Sequence, residues 1–157
     1  MQPFGPAVLR LAMGVIFLAH GAQKLLGIWG GSGPDGTATF FDQIGVAPAY
    51  PMALLVGLIE LSGGILLIAG AFTLLASLVL IANMLVAVWK VHLAQGFFLN
   101  WSAAPGAGFG YEFNLALIAA LVSLMLTGPG AFSFDGHRAS AAEAAAAGRA
   151  RIRAGKV

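Results

Sequence analysis

Four apolar stretches, each separated from the next by a polar or glycine-rich break, dominate the pattern of this 157-residue chain. A helix rises 1.5 Å per residue, so about 20 apolar residues cross the roughly 30 Å hydrocarbon core of a bilayer. The almost unbroken apolar run from residue 53 to residue 89 is too long for one crossing, and residues 70–73 are its only plausible turn. The pattern therefore predicts an all-α integral membrane protein, a four-helix bundle with spans at about 6–26, 53–71, 74–93 and 111–127.

Composition supports a membrane protein and narrows its chemistry. Hydrophobic residues make up 59% of the chain and charged residues only 9%, whereas soluble domains carry about 25% charged residues. The chain contains no cysteine, which excludes disulfides, thiolate metal sites and CxxC redox chemistry. Electron transfer would therefore need a bound cofactor or substrate. Neither a nucleic-acid-binding motif nor a basic stripe is present, so we expect no nucleic-acid partner.

Two connectors and a tail surround the predicted spans. Residues 27–51 and 94–110 are rich in glycine and aromatic residues, as is typical of loops at a membrane interface. Residues 37–45 are compatible with a short interfacial helix. From residue 131 the chain becomes polar and alanine-rich, which favours a surface helix or a flexible tail. We therefore expect a membrane domain at 1–130 and a tail at 131–157, whose last basic residues are Arg149, Arg151, Arg153 and Lys156.

The orientation follows from the basic residues. Four spans place both termini on one side, and the basic tail together with Arg10 favours the cytoplasm because cytoplasmic segments carry an excess of Lys and Arg. The two aromatic loops then lie on the outer side of a bacterial inner membrane. A cleaved signal peptide is the competing interpretation of the first run. Its continuation to His20 and Lys24, and the spans that follow, favour an uncleaved helix.

Glu60 lies in the middle of the second predicted span. A carboxylate at that depth costs at least ~2–3 kcal/mol, so its side chain should face a partner or a cavity rather than lipid. Gly57 and Gly64 lie on the same helix face and would let another helix approach closely. Two interpretations stay open: a structural glutamate, protonated or paired, that holds helices together, or part of a polar site inside the membrane.

Asn83 is predicted near the midplane, like Glu60, and five further polar residues are predicted in the outer half, beneath the aromatic loops. His20 and Lys24 are helical neighbours at i, i+4, and Asn83 shares a face with Lys90. His92 falls on a different face, and Glu112 opens the fourth span. Each has a structural alternative: Asn83 as glue between helices, Glu112 as a complement to the helix dipole, and Lys24 as a side chain that snorkels to the headgroups.

Arg10 is predicted in the opposite, inner half, on the same broad stripe as His20 and Lys24. A snorkelling arginine is the alternative there. Four of the polar residues are capable of binding a metal ion, but none belongs to a recognised spacing motif, and we expect no metal site. They are His20, His92, Glu60 and Glu112.

Several short segments, taken together and in order, resemble the DoxX family of small bacterial membrane proteins. They extend over about residues 10–135 and read LRLAMGVIFLAHGAQKL, GLIELSGGILLIAGAFT, HLAQGFF, GYEFNLALI and GPGAFSFD. Leu74 departs from the family pattern, which often has a basic residue after the threonine of the second turn. The resemblance implies four helices and an association with redox chemistry, since some members belong to a thiosulfate:quinone oxidoreductase and others are linked to quinone or oxidative-stress handling.

The leading functional hypothesis is a membrane component of an oxidoreductase system that binds a quinone-like molecule in the outer half. His20 and Glu60 would handle protons, while Lys24, Asn83 and Lys90 would hold carbonyl oxygens. His92 and Glu112 complete the expected binding set. The chain shows no flavin, haem or nucleotide motif, so a redox partner protein would supply any further cofactor.

Two other functions remain open: a non-catalytic membrane scaffold that recruits a partner through its loops, and a small-solute transporter. Four spans without inverted repeats make a transporter less favourable, although a homo-oligomer could supply a path.

Overall fold

The computed structural model describes residues 4–154, except for the side chains of Arg151, Arg153 and Ala154. That part of the chain is all α and contains no strand, as the sequence predicts. Its six α-helices are α1 (Phe4–Leu26), α2 (Gly33–Gln43), α3 (Ala49–Ala69), α4 (Thr73–Ala87), α5 (Glu112–Thr127) and α6 (Phe134–Ala154). A π-helical turn (Val88–His92) and a short 3-10 turn (Leu93–Gln95) continue α4.

Within residues 4–154, three helical segments are long and apolar enough to cross a membrane: Phe4–Leu26, Ala49–Ala69 and Thr73–Gln95. They coincide within a few residues with the first three predicted spans. Helix α5 is apolar but has only 16 residues, about 24 Å at 1.5 Å per residue. The chain is thus built as a multi-pass membrane protein.

One core joins α1, α3, α4 and α5. Phe17, Leu67, Leu80 and Leu121, one from each helix, are essentially inaccessible to solvent and belong to the same apolar cluster. Each of these four helices therefore contributes to a common apolar core. Helix α2 packs against α3 and α1 at the end of the protein formed by the two long connectors, here called the loop end.

Glycines bring α1 and α3 into close contact. A Cβ atom added at Gly21 would overlap the backbone of Leu61, and one added at Gly64 would overlap the backbone of Leu18. Small residues permit this approach of two helix backbones. The expected glycine face of α3 therefore has a partner, and that partner is α1. Glu60, which lies on this face, is thereby directed at the helix that carries Lys24.

Arg10 organises the opposite end of the protein, here called the arginine end. Its side chain is 1% exposed, so the snorkelling alternative is wrong. The guanidinium donates hydrogen bonds to five backbone carbonyls, those of Leu67, Ile68, Pro129, Ala131 and Phe132. The last carbonyls of a helix have no partner within the helix. Arg10 donates hydrogen bonds to carbonyls at the C-terminus of α3 and so joins this terminus to the segment before α6.

Asp135 ties α6 to the same end. Its carboxylate accepts hydrogen bonds from the backbone N–H groups of Phe72 and Thr73, at 3.0 and 2.8 Å, where α4 begins. A carboxylate at a helix N-terminus satisfies free donors and complements the helix dipole. The predicted tail is therefore helical over Phe134–Ala154 and anchored by its first turn. Lys156, one of its predicted basic residues, lies outside the described part of the chain.

Replacement of Arg10 tests this arrangement. We expect Arg10→Met to lower the free energy of unfolding by at least about 2 kcal/mol, because buried carbonyls left without a donor cost roughly 1–3 kcal/mol each. Arg138 is exposed, and its guanidinium lies over the Phe134 ring. Arg138→Met, the matched control, should change the free energy by less than about 0.5 kcal/mol. Unfolding of both variants in one detergent measures the difference; equal stabilities would contradict the assigned role of Arg10.

Candidate functional site

A cavity of about 700 Å³ lies at the loop end, between α1, α3, α4 and α5. Its walls are mainly apolar and include Phe17, Met84 and Leu117. Phe40 and Phe41 of α2, together with Phe109 and Phe113, bring aromatic rings to its lining. The polar side chains that line it are His20, Lys24, Glu60, Asn83, Lys90, His92 and Asn114. Six of the seven residues predicted for the site are thus brought together around one space.

Glu60 is the buried centre of a part-buried polar group, here called the Glu60 cluster, made of Lys24, Glu60 and Asn83. Glu60 is 3% exposed. Its Oε2 accepts a hydrogen bond from Lys24 Nζ at 2.5 Å, and its Oε1 accepts one from Asn83 Nδ2 at 3.0 Å. The three residues come from α1, α3 and α4. A paired charge costs far less in an apolar interior than a lone one, so the cluster makes a carboxylate at this position tolerable.

Both cavity histidines have one ring nitrogen engaged by the backbone. His20 Nδ1 lies 2.9 Å from the carbonyl oxygen of Ile16, and His92 Nδ1 lies 2.7 Å from that of Phe109. A carbonyl oxygen only accepts, so each Nδ1 must carry the hydrogen. Nε2 of each neutral ring is then left as an acceptor that can take a hydrogen bond or a proton. The described hydrogen bonds of the two rings involve Nδ1 alone.

The π-helical turn places Lys90 and His92 together. In a regular α-helix His92 would lie about 180° around the axis from Asn83, which is why it was expected on a different face. The i→i+5 bonding of Val88–His92 widens the turn, and both Lys90 and His92 line the cavity. The Lys90 ammonium lies 4.7 Å from the centre of the Trp89 ring, a cation–π contact.

Glu112 is the one predicted site residue that does not line the cavity. Its Oε1 accepts hydrogen bonds from the backbone N–H of Leu99 at 2.7 Å and from Trp101 Nε1 at 3.1 Å. Glu112 thereby holds the second connector against the start of α5. The effect on the cavity is indirect, because this connector also supplies Phe109.

Asn114 lines the cavity and was not predicted as a site residue. It is 6% exposed, and its Nδ2 lies 3.6 Å from the sulfur of Met84. The available signal was a second polar residue close behind Glu112, at the start of an otherwise apolar helix. Arg10 shares a broad stripe with His20 and Lys24 but was predicted in the opposite half, and it lies at the arginine end, away from the cavity.

The lining residues show no arrangement suited to a metal ion. Within the described residues, no three or more His, Cys, Asp or Glu side chains form a group that could hold one. The Glu60 carboxylate is already occupied by a lysine and an asparagine, which leaves it a poor ligand. The polar groups of the lining are thus available for hydrogen bonds and charge interactions.

Long apolar helices around a largely buried polar cluster define the class of protein as a multi-pass membrane protein. Comparison with known proteins gives the family: the DoxX family model matches residues 5–93. The chain belongs to the DoxX family. The matched range extends from α1 to the π-helical turn and so contains the Glu60 cluster, His20, Lys90 and His92, but not Asn114.

Known relatives are similar over most of their length. "Putative oxidoreductase CatD" of Bacillus subtilis is 30% identical over 131 residues, 83% of this chain and 84% of that protein. An uncharacterized membrane protein of Mycobacterium tuberculosis is 30% identical over 131 residues, 81% and 77% of the two chains. Inner membrane protein YphA of Escherichia coli is 27% identical over 129 residues, 82% and 86%. No solved structure gives a significant match.

A double-mutant cycle tests the pairing in the Glu60 cluster. Lys24→Met and Glu60→Gln should each reduce stability, because each leaves the other partner in an apolar surrounding without its counter-charge. The double variant should be more stable than the sum of the two losses predicts, with a coupling of about 1–3 kcal/mol.

The control cycle combines Glu60→Gln with Arg138→Met, which lies at the arginine end. Its two effects should add within about 0.5 kcal/mol. Additive behaviour of Lys24→Met and Glu60→Gln in the same unfolding measurement would contradict the pairing.

Proposed function

We propose that the protein is a membrane component of an oxidoreductase system and that it binds a quinone-like, lipid-soluble ring in the cavity at the loop end. The observation that carries the proposal is the Glu60 cluster, a part-buried group with hydrogen-bonding capacity in a cavity lined mainly by apolar and aromatic side chains. Small-molecule sites combine apolar walls with a few convergent polar groups in this way.

The size and the donors of the cavity support a quinone-like ligand. About 700 Å³ falls within the 300–1,000 Å³ range typical of small-molecule sites. The apolar walls suit a ring and the beginning of an alkyl tail. Lys24 gives one of its three N–H groups to Glu60, which leaves two for a ligand, and Lys90 has its own donors. We propose that Lys24, Lys90 and Asn83 hold the ring's carbonyl oxygens.

The proposed chemistry is reduction of the ring. A quinone takes two electrons and two protons, and each carbonyl oxygen becomes a hydroxyl. We propose that His20, at Nε2, and the Glu60 carboxylate each take up a proton and pass it to a ring oxygen, and that His92 completes the binding set in the same cavity. The chain has no cysteine, so the electrons come from a reduced cofactor held by a redox partner protein. The printed name of the Bacillus subtilis relative, an oxidoreductase, agrees with this reaction class.

A four-span topology belongs to the same proposal. Helix α5 would be the fourth span of a four-helix bundle, with both termini in the cytoplasm and the cavity in the outer half of the membrane. The apolar core shared by α1, α3, α4 and α5 supports it, as does the basic character of the arginine end. Because the chain has no native cysteine, labelling of single introduced cysteines with an impermeant reagent can check the orientation.

A non-catalytic scaffold is the second candidate. Both oxygens of Glu60 already have partners within the protein, as a purely structural cluster requires. Aromatic side chains such as Trp101, 81% exposed, would then recruit the partner. Under this alternative, Glu60→Gln changes folding or assembly, and neither form binds a small molecule.

Binding of tetramethyl-1,4-benzoquinone separates the two candidates. We expect the purified protein to bind it, as measured by quenching of tryptophan fluorescence. His20→Ala combined with Glu60→Gln should weaken binding at least about tenfold, or ~1.4 kcal/mol, because the imidazole is lost and the carboxylate becomes a neutral amide. Circular dichroism and size exclusion establish that the variant is folded.

The matched control replaces the same residue types elsewhere. His137 and Glu143 are exposed on α6, so His137→Ala combined with Glu143→Gln should leave the affinity unchanged. Equal affinities in both double variants would reject the assignments of His20 and Glu60. No binding by the folded wild-type protein would reject the quinone proposal and favour the scaffold.

A further inference from the structure

Asn114 is the one polar residue on the buried face of α5. The buried residues of this helix are Asn114, Leu117, Leu121 and Leu124, a spacing of i, i+3, i+7 and i+10 that follows one helix face. Three of the four positions are leucine and pack in the core. A leucine at position 114 would continue the same face. The amide at this position therefore needs an explanation other than packing.

The protein leaves much of the hydrogen-bonding capacity of this amide unused. Asn114 is 94% buried, as its 6% exposure shows. Its only hydrogen bond within residues 4–154 is the one from Nδ2 to the Met84 sulfur, at 3.6 Å, and a thioether is a weak acceptor. An asparagine amide has two N–H donors and a carbonyl oxygen. A buried polar group without strong partners lowers the stability of a protein.

The position of Asn114 indicates what uses this capacity. Its side chain lines the same cavity as Glu60 and Asn83. Asn83 already gives an N–H to Glu60, whereas Asn114 makes no contact with the Glu60 cluster in the described hydrogen bonds. A ligand in the cavity is thus the available partner for the Asn114 amide.

We propose that Asn114 is a ligand-binding residue that hydrogen-bonds an oxygen of the bound ring; the inference rests on the function proposed for the cavity. An amide can donate to the carbonyl oxygen of an oxidised ring and accept from the hydroxyl of a reduced one. Lysine ammonium groups can only donate. Asn114 therefore serves both redox forms of the ligand, and α5 contributes to recognition as well as to the core.

The test compares stability with affinity in Asn114→Leu. A structural asparagine would make this variant less stable. A ligand-binding asparagine predicts a ligand-free variant at least as stable as the wild type, because leucine completes the apolar stripe and removes a poorly bonded amide. Affinity for tetramethyl-1,4-benzoquinone and for its hydroquinone should both fall, by about 2- to 10-fold, the equivalent of one hydrogen bond.

Two further variants complete the experiment. Asn114→Ala removes the amide without adding bulk. Its affinity for the quinone and for the hydroquinone should fall by as much as in Asn114→Leu. Ser123→Ala, on the same helix but away from the cavity, should retain the wild-type affinity.

Unchanged affinity in the leucine and alanine variants, with the wild type binding the quinone, would overturn the role of Asn114 alone. Loss of stability in both variants would also overturn it, since that result assigns Asn114 to the structure. A wild-type protein that binds neither ring form would reject the function proposed for the cavity, and the role of Asn114 with it.

Discussion

A carboxylate enclosed by apolar helices must be paired. The arrangement of the helices and polar side chains at the loop end depends on how this protein pairs Glu60. The glycine contact between α1 and α3 brings the two backbones close enough for Lys24 to reach Glu60 from the neighbouring helix. Asn83 completes the arrangement from α4. Because these partners come from three helices, the cluster also defines how those helices lie relative to one another around the cavity.

The two ends of the protein use buried charge differently. At the arginine end, Arg10 and Asp135 are directed at backbone groups that helix termini leave without partners. Their hydrogen bonds are all internal, which is the signature of a structural role. At the loop end, the polar side chains line a cavity, and Lys24, Lys90 and the histidine Nε2 atoms keep unused donors or acceptors. Unused capacity beside a cavity is the physical reason to assign function to this end.

The sequence predicted the long apolar helices and most of the polar residues that line the cavity because the decisive signals were local. The energetic cost of Glu60 within an apolar run, its neighbouring glycines, and the helical spacing of His20 and Lys24 or of Asn83 and Lys90 can all be read within single spans. Pairing of Lys24 with Glu60 required one further step, the contact of two helices.

The features that the sequence did not predict depend on contacts between distant segments, or on changes in helix geometry that no glycine or proline indicates. The carbonyl partners of Arg10 lie 57 to 122 positions away in the chain, and nothing near Arg10 indicates them. The π-helical turn that brings His92 to the cavity contains neither glycine nor proline. Glu112 could be placed in a first helical turn, but its bonds to Leu99 and Trp101 require the fold of the connector.

The most direct test of the central claim is to identify what the cavity holds when the protein is made in a membrane. The wild-type protein and Glu60→Gln would be purified in mild detergent and extracted with organic solvent, and the extracts analysed by absorbance and mass spectrometry. The account predicts about one quinone per folded wild-type protein and a large reduction in the variant. An extract free of quinone from folded wild-type protein would contradict it and assign the Glu60 cluster to helix packing.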